Sequence, residues 1–398
     1  MEVSTPDDCE ACDVFVVGAG LAGLCAAIGF ARAGFSVVSC GATDRLGSGR
    51  TVALLGQSVD FLQDLDVWRD IEPFAAPLRS LRIVDDCGGL LPTRPIAFQA
   101  SEIDLEAFGW NIENAVLADR LAAAAGREDR LRRIDSKVAA FDFSGGRPRL
   151  RLADGRGFAP RLVVGADGRG SSARRAAGIE ARTHAYPQSA LTVFLAHARP
   201  HGDTSTEFHT PHGPFTLVPL PPTPYARLRS SLVWVMAPGD AERRAALSDD
   251  ALAGEIEAQA RSMLGAMRLD GERGIFPMTR QVVSRLVGPR LALVGDAAHG
   301  FPPIGAQGLN LGLRDVRGLL AAARAAADLG DGAMLQSYAG GRRPDITMRT
   351  LAVDGLNRSL LAQFPPLDAA RGLGLAALAA IGPLRRMVMR EGVAPRFG

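Results

Sequence analysis

The hydrophobic pattern opens on an uninterrupted apolar run, Val14-Phe-Val-Val17, followed at once by Gly18, Gly20 and Gly23. An apolar stretch to Gly34 and a second run, Phe35-Ser-Val-Val-Ser39, come next. This predicts a βαβ unit: a buried parallel strand over Asp13–Val17, a helix opening in the glycine turn, and a second strand. Two later runs read the same way, Leu162-Val-Val-Gly165 and Leu291-Ala-Leu-Val294. Before them, Val52, Leu55, Val59, Leu62, Leu65 and Trp68 fall near helical spacing. Leu81–Val84 and the stretch around Leu90 read as short strands, Asn114–Ala125 as a helix, and the polar segment to Leu152 as β-rich. Residues 185–237, rich in β-branched and aromatic positions between Pro and Gly, predict an antiparallel sheet; an Ala- and Leu-rich helix runs to about Asp328.

The expected architecture is α/β. A Rossmann-like dinucleotide-binding domain is assembled from the discontinuous segments 1–76, 101–178 and 285–350. An antiparallel-sheet substrate domain comes from 77–100 and 179–284, and 351–398 forms a C-terminal helical segment.

Composition narrows the chemistry by exclusion. With 45 basic and 43 acidic residues in 398, the net charge of +2 gives no reason to expect a nucleic-acid partner. Lys137 is the only lysine and has no glycine before it, which excludes a P-loop and disfavours kinase and pyridoxal-phosphate chemistry. Five cysteines with no secretory signal peptide point to a reducing cytoplasm. Cys9-x-x-Cys12 sits in a polar, acidic tail without a second pair or nearby His, and no pair of histidines has metal-helix spacing beside a carboxylate, so no metal is expected. No apolar run reaches the roughly 20 residues of a membrane span.

The candidate site lies at the strand ends. Gly18 permits a tight turn, Gly20 lets backbone approach a pyrophosphate, Gly23 allows close helix packing, and the helix N-terminus offers free N–H groups. Gly165-Ala-Asp167-Gly168 and Gly295-Asp296 end the other two strands, and in a parallel sheet such turns converge on one ligand. Asp296 is suited to accept from sugar-chain hydroxyls, and Gly305 to Asn310 lead into a helix N-terminus that favours a developing anion. The acidic ribose ligand expected at the end of the second strand is replaced by Cys40-Gly41, with Asp44 as a distant substitute.

These residues resemble the single-component FAD-dependent aromatic monooxygenases, and among them the ubiquinone-biosynthesis hydroxylases. The resemblance rests on Gly18-x-Gly20-x-x-Gly23, on Gly49-Arg50-Thr51-Val-Ala-Leu54, on Val164-Gly165-Ala-Asp167-Gly168-x-x-Ser171 with Arg174, and on Leu293-Val-Gly-Asp296-Ala-Ala-His299 running through Pro302-Pro303-Ile-Gly305-Ala-Gln307-Gly308-Leu309-Asn310-Leu-Gly312-Leu-Arg-Asp315. It implies that Gly18, Gly20 and Gly23 hold the FAD pyrophosphate, Asp296 the ribityl chain, and Arg50 the cofactor's flank. Asp167 takes a joint structural and nucleotide role. Gly305, Gln307, Gly308, Leu309 and Asn310 face the isoalloxazine, and Pro303 lies near the reacting oxygen. It also implies a flavin C4a-hydroperoxide that passes one oxygen of O2 to the ring of a polyprenylated phenol, with NAD(P)H or a ferredoxin-type donor as co-substrate.

That chemistry needs a dry, apolar pocket, for which Phe215, Leu217, Val218 and Leu220 form one candidate wall and Val233, Trp234 and Val235 another. His299, just after the Asp-Ala-Ala turn, reads as an orienting residue rather than a base. The rival within the fold is a hydroxylase of a small soluble aromatic. A halogenase would need Trp-x-Trp, yet Trp68, Trp110 and Trp234 are isolated; a two-dinucleotide reductase would need a second glycine fingerprint. A flavin-fold scaffold without catalysis is the non-enzymatic alternative. The apolar stretch from Gly372 and the arginines through Arg390 suggest either a helix at a membrane surface or one packed on the protein itself or at a dimer contact; for the first, the resemblance implies a cytoplasmic protein touching the inner membrane face and other ubiquinone-biosynthesis proteins.

Overall fold

The computed structural model describes residues 9–41, 49–87, 95–302, 307–361 and 381–393. Five strands form the parallel heart of the first sheet, in the order Leu131–Ile134, Val37–Cys40, Cys9–Val17, Gly157–Gly165 and Leu291–Leu293. Val14, Phe15, Val16, Leu162, Val163 and Val164 are fully buried, as unbroken apolar strands must be when helices cover both faces. The helices Leu21–Arg32, Gln307–Ala325 and Gly332–Leu361 contribute to that core through Ile28, Val316, Leu319 and Tyr338. The last of these helices runs through the boundary expected at residue 350.

Two readings near the N-terminus need correction. The first strand begins at Cys9, because Cys9–Cys12 pair in register with Gly157–Pro160. The expected polar tail is therefore strand here, and burial, with the Glu10 and Asp13 carboxylates, pushes the Cys12 thiol up to about 12. Second, residues 51–68 are not one helix. Thr51–Leu55 is a strand paired with Gly109–Glu113, and the helix Gly56–Asp64 follows. Cross-strand pairing overrides the helical spacing, and Gly109 is required there, since a Cβ would stand 2.3 Å from the Leu54 carbonyl oxygen.

The second sheet orders His299–Gly300, Gly274–Val283, Ala181–His197, Arg229–Met236, Gly213–Leu220, Thr204–Thr210, Ser80–Asp85 and Ile96–Gln99. One face is sealed by the helices Pro238–Ala245 and Asp249–Gln259: Leu191, Phe208, Phe215, Leu217 and Trp234 pack against Ala241, Leu252 and Ile256. Side chains alternate along strands, so Val218, Leu220, Val233 and Val235 project from the other face. That face meets the first domain, where Ser231 Oγ lies 3.1 Å from Thr51 Oγ1 and Asn111 Nδ2 donates to the Pro219 carbonyl at 2.8 Å. The candidate pocket walls are thus split. Phe215, Leu217 and Trp234 belong to the core beneath the helices, and only the other four look toward the first domain.

The C-terminal helix Gly382–Val393 docks on the far edge of this sheet. Arg385 Nε reaches Glu102 at 2.6 Å and its guanidinium covers the Phe98 ring at 4.6 Å, while Met389 packs among Ile96, Phe98, Ile103 and Phe108. Met387 and Val388 face outward. No helix among the described residues is long and apolar enough to cross a membrane.

Candidate active site

The carboxyl ends of three neighbouring parallel strands touch one another. Ala166 N donates to the Val17 carbonyl at 2.8 Å and Val294 N to the Gly165 carbonyl at 3.0 Å, which brings all three turns into one row. At Gly18 (φ +117°) a Cβ would meet Ala166 O at 2.3 Å, and at Gly23 it would meet Gly18 O at 2.1 Å. Both positions exclude any side chain. Gly20 is different: a Cβ there meets no atom of the described residues within 4 Å. It stands at the N-terminus of Leu21–Arg32, which has no side-chain cap and no acidic residue in its first turn. Free N–H groups and the helix dipole are thus presented to an open space that suits a pyrophosphate.

The second strand ends in a way that explains its missing acid. Gly18 N donates to the Cys40 carbonyl at 2.7 Å, and a Cβ on Gly41 (φ +157°) would lie 2.6 Å from Ala19 N. Cys40 itself is buried, with its thiol pushed up to about 12 chiefly by that burial. Asp44 lies outside the described residues.

Asp296 is the exposed residue in an otherwise buried turn: Val294, Gly295, Ala297 and Ala298 are all covered while its side chain is 48% open. Its described partner is Arg169 at 3.5 Å, and Arg169 also donates to Phe301 O at 2.8 Å and to Thr279 Oγ1. Arg174 is buried and ties the two Asp turns together, donating to Ala297 O at 2.9 Å and to Arg169 O at 2.7 Å. Burial holds its guanidinium below the usual arginine range. Asp167 turns inward, accepting from Ser171 Oγ, Ser172 N, Ser172 Oγ and Ala173 N at 2.5–3.2 Å. Its visible role is to accept the first two N–H groups of the short helix Ser172–Ala176, whose N-cap is Ser171.

Behind Asp296 lies a buried ionic cluster. Asp315 accepts from Gly295 N at 3.0 Å, His299 Nε2 at 2.5 Å and Arg342 Nε at 2.8 Å. Burial alone would raise its pKa; the charges and hydrogen bonds of His299 and Arg342 reverse that and hold it below the ordinary carboxyl value. Arg342 and Arg314 then share Asp345, each at 2.9 Å. His299 is thereby held by Asp315 within the turn.

The remaining candidates divide by what they touch. Asn310 is buried, and its amide accepts from Leu55 N at 2.9 Å and Ser58 Oγ at 2.6 Å while donating to Ala53 O at 2.8 Å. Its side chain fastens the strand after Arg50 rather than reaching outward. Arg50 is exposed, its guanidinium 4.9 Å from the Phe276 ring centroid on the face of the second sheet. Gly308, in the first turn of Gln307–Ala325, has open space where a Cβ would stand, and Leu309 leans on the first core. Pro303 and Gly305 lie outside the described residues, as does the side chain of Gln307.

An uncapped helix opposite an open glycine, an exposed carboxylate in a buried turn and a flanking arginine suit one long dinucleotide. The sequence from residue 11 to 350 matches the family model described as FAD binding domain. The chain belongs to this FAD-binding family. It is 33% identical over 95% of its length to a ubiquinone hydroxylase of Rhodospirillum rubrum, covering 89% of that protein. It is 30% identical over 95% of its length to the 3-demethoxyubiquinol 3-hydroxylase of Escherichia coli, covering 97% of it. In fold it is similar to p-nitrophenol 4-monooxygenase from Pseudomonas putida, with a TM-score of 0.79, 18% identity and coverage of 97% and 99% of the two chains. FAD is the cofactor, and the family member is an FAD-dependent aromatic-ring monooxygenase acting on a phenolic small molecule and O2.

Two features of the site escape sequence reading. Arg169 carries no motif signal, since any residue between Gly168 and Ser171 fits the pattern. The Arg342–Asp345 arm reads as ordinary charge on a helix; only its burial reveals it.

Proposed function

We propose that this enzyme inserts one atom of O2 into the ring of a polyprenylated phenol on the route to ubiquinone. The observation that carries the reading is similarity over 95% of the chain to two proteins named as hydroxylases of ubiquinone or its precursor. Bound FAD, reduced by NAD(P)H or a ferredoxin-type donor, supplies the oxygen chemistry. The chain's own residues bind, orient and shield. Gly18, Gly20 and Gly23 with the Leu21–Arg32 N-terminus would hold the pyrophosphate, Asp296 the ribityl hydroxyls, Arg50 the cofactor flank, and Gly308 with its neighbours the ring. Asn310 and Asp167 act from behind by fixing these turns. Val218, Val233 and Val235 give the phenol ring an apolar wall that excludes water.

The C-terminal helix belongs to the same reading. Ile381, Met387 and Val388 are exposed beside Arg386 and Arg390, and Arg349 Nη2 donates to Glu391 O at 3.5 Å, bringing exposed Met348 and Leu351 alongside. Apolar side chains ringed by arginines suit an anionic membrane surface, from which a polyprenyl substrate is drawn. Other enzymes of the pathway are the expected protein partners.

Two measurements test the reading. Deleting the gene should deplete ubiquinone and accumulate a precursor lacking one ring hydroxyl; unchanged quinone content rejects the pathway and favours a small soluble aromatic as substrate. Asp296→Ala removes a charge-assisted contact to the cofactor without touching the core. Losing such a bond, at about 1.5–3 kcal/mol, should weaken FAD affinity roughly 10- to 100-fold at unchanged Tm. FAD titration of the apoprotein reads it, and wild-type affinity removes Asp296 from the site.

A further inference from the structure

The strand Thr204–Thr210 lies between Gly213–Leu220 and Ser80–Asp85 in the second sheet. Phe208 enters the core under the helices, so Glu207 and His209 project from the opposite face. This is the face that carries Val233 and Val235 and meets the cofactor domain through Ser231. Glu207 is in register with Thr216, and Thr216 with Val233, which places the pair at the end of the apolar wall.

His209 Nε2 lies 2.9 Å from Glu207 Oε1, and Thr216 Oγ1 donates to Oε2 at 3.4 Å. A carboxylate only accepts, so Nε2 is the donor, and in the neutral imidazole Nδ1 then carries the lone pair. That nitrogen is buried with no partner among the described residues, on a side chain 8% exposed. A buried acceptor left unmet is costly, and a donor brought by the substrate satisfies it.

We infer that His209, oriented by Glu207, is a catalytic residue that takes the proton of the substrate's phenolic hydroxyl; this rests on the hydroxylase reading above. The phenol O–H bond breaks, an N–H bond forms at Nδ1, and the electron pair stays on the phenolate oxygen, which enriches the ring for attack on an electrophilic oxygen. The imidazolium keeps Nε2–H on Glu207, whose charge balances it, and Nδ1 returns the proton to that oxygen in the product. Among the described residues, the other titratable groups around the pair include Asp85, in register with His209 and accepting from Cys87 N at 3.2 Å, Cys87, whose Sγ donates to the His209 carbonyl at 3.2 Å, Asp86, whose N–H donates to the same carbonyl at 2.8 Å, and His212 in the following turn.

The test compares a short-chain 2-prenylphenol with its more acidic ring-fluorinated analogue, using FAD-loaded wild type and His209→Phe. The variant should lose about 10²-fold in kcat/KM on the plain phenol, recover most of that loss on the acidic phenol, and keep its flavin spectrum. Loss by the same factor on both phenols, or activity within about twofold of wild type on the plain one, overturns the inference. If His209→Phe does not take up FAD, Glu207→Gln, which keeps the imidazole, is compared on the same phenols; there an equal ratio overturns it. Failure of wild type to hydroxylate either phenol refutes the hydroxylase reading instead.

Discussion

Gly20→Ala is expected to fold like wild type and bind FAD poorly, whereas Gly23→Ala is expected to lose both stability and FAD. The contrast follows from what each new methyl group meets. At Gly20, φ is −72°, which alanine adopts freely, and no atom of the described residues lies within 4 Å of the added Cβ. Its cost falls on whatever occupies that space, the cofactor's pyrophosphate in the arrangement proposed above. At Gly23 the Cβ would sit 2.1 Å from the Gly18 carbonyl oxygen, so helix and turn must separate before any ligand arrives. Overpacking of this kind costs about 1–3 kcal/mol. For Gly20→Ala the same misfit is charged to binding alone, roughly a 10- to 100-fold weaker FAD affinity at unchanged apoprotein Tm. Paired thermal melts and FAD titrations separate the two variants, and a Gly20→Ala protein with full FAD affinity would place the pyrophosphate elsewhere.

Asp315→Asn carries the largest expected loss of stability. The carboxylate is fully buried and is the meeting point of Gly295 N, His299 and Arg342. Removing its charge leaves Arg342 and Arg314 to share Asp345 with Arg349, which lies 3.8 Å from it, an uncompensated buried cation of the kind that costs about 3–5 kcal/mol. For a chain of this size that is a Tm decrease of roughly 4–6 °C. The pH dependence has a definite sign. Because the folded pKa of Asp315 lies below its ordinary value, its stabilisation is fully present above the unfolded pKa of about 3.9 and is lost as pH falls through the folded value. The gap between wild type and Asp315→Asn should therefore be widest near neutrality and close on acidification below about pH 4. A gap independent of pH would mean that shape, not charge, is what the position supplies. Since Asp315 also holds Gly295 N, the variant should release FAD more readily as well.

Much of the first domain is legible in sequence because parallel strands covered on both faces must be uninterruptedly apolar. Val14–Val17, Leu162–Val164 and Leu291–Leu293 declare themselves in this way, and the helix Asn114–Ala125 begins and ends where its pattern does. Thr51–Leu55 does not, because its apolar spacing suits a helix and only pairing with Gly109–Glu113 makes it a strand. The second sheet is legible as a sheet but not by face. Phe215 and Val218 look alike as pocket candidates until the helices Pro238–Ala245 and Asp249–Gln259 claim one side. Glycines are legible at the site since steric necessity leaves a mark in residue type. Arg169, Arg342 and Asp345 are not, since a charged residue on a helix or turn looks the same in sequence whether it faces water or a buried partner.

The central claim is that three adjoining strand ends hold one FAD. Titration of the apoprotein with FAD, followed by flavin fluorescence and visible absorption, tests it most directly. The account predicts saturable uptake of one FAD per chain with the appearance of a protein-bound flavin spectrum. A correctly folded apoprotein that leaves the added flavin free in solution would contradict it.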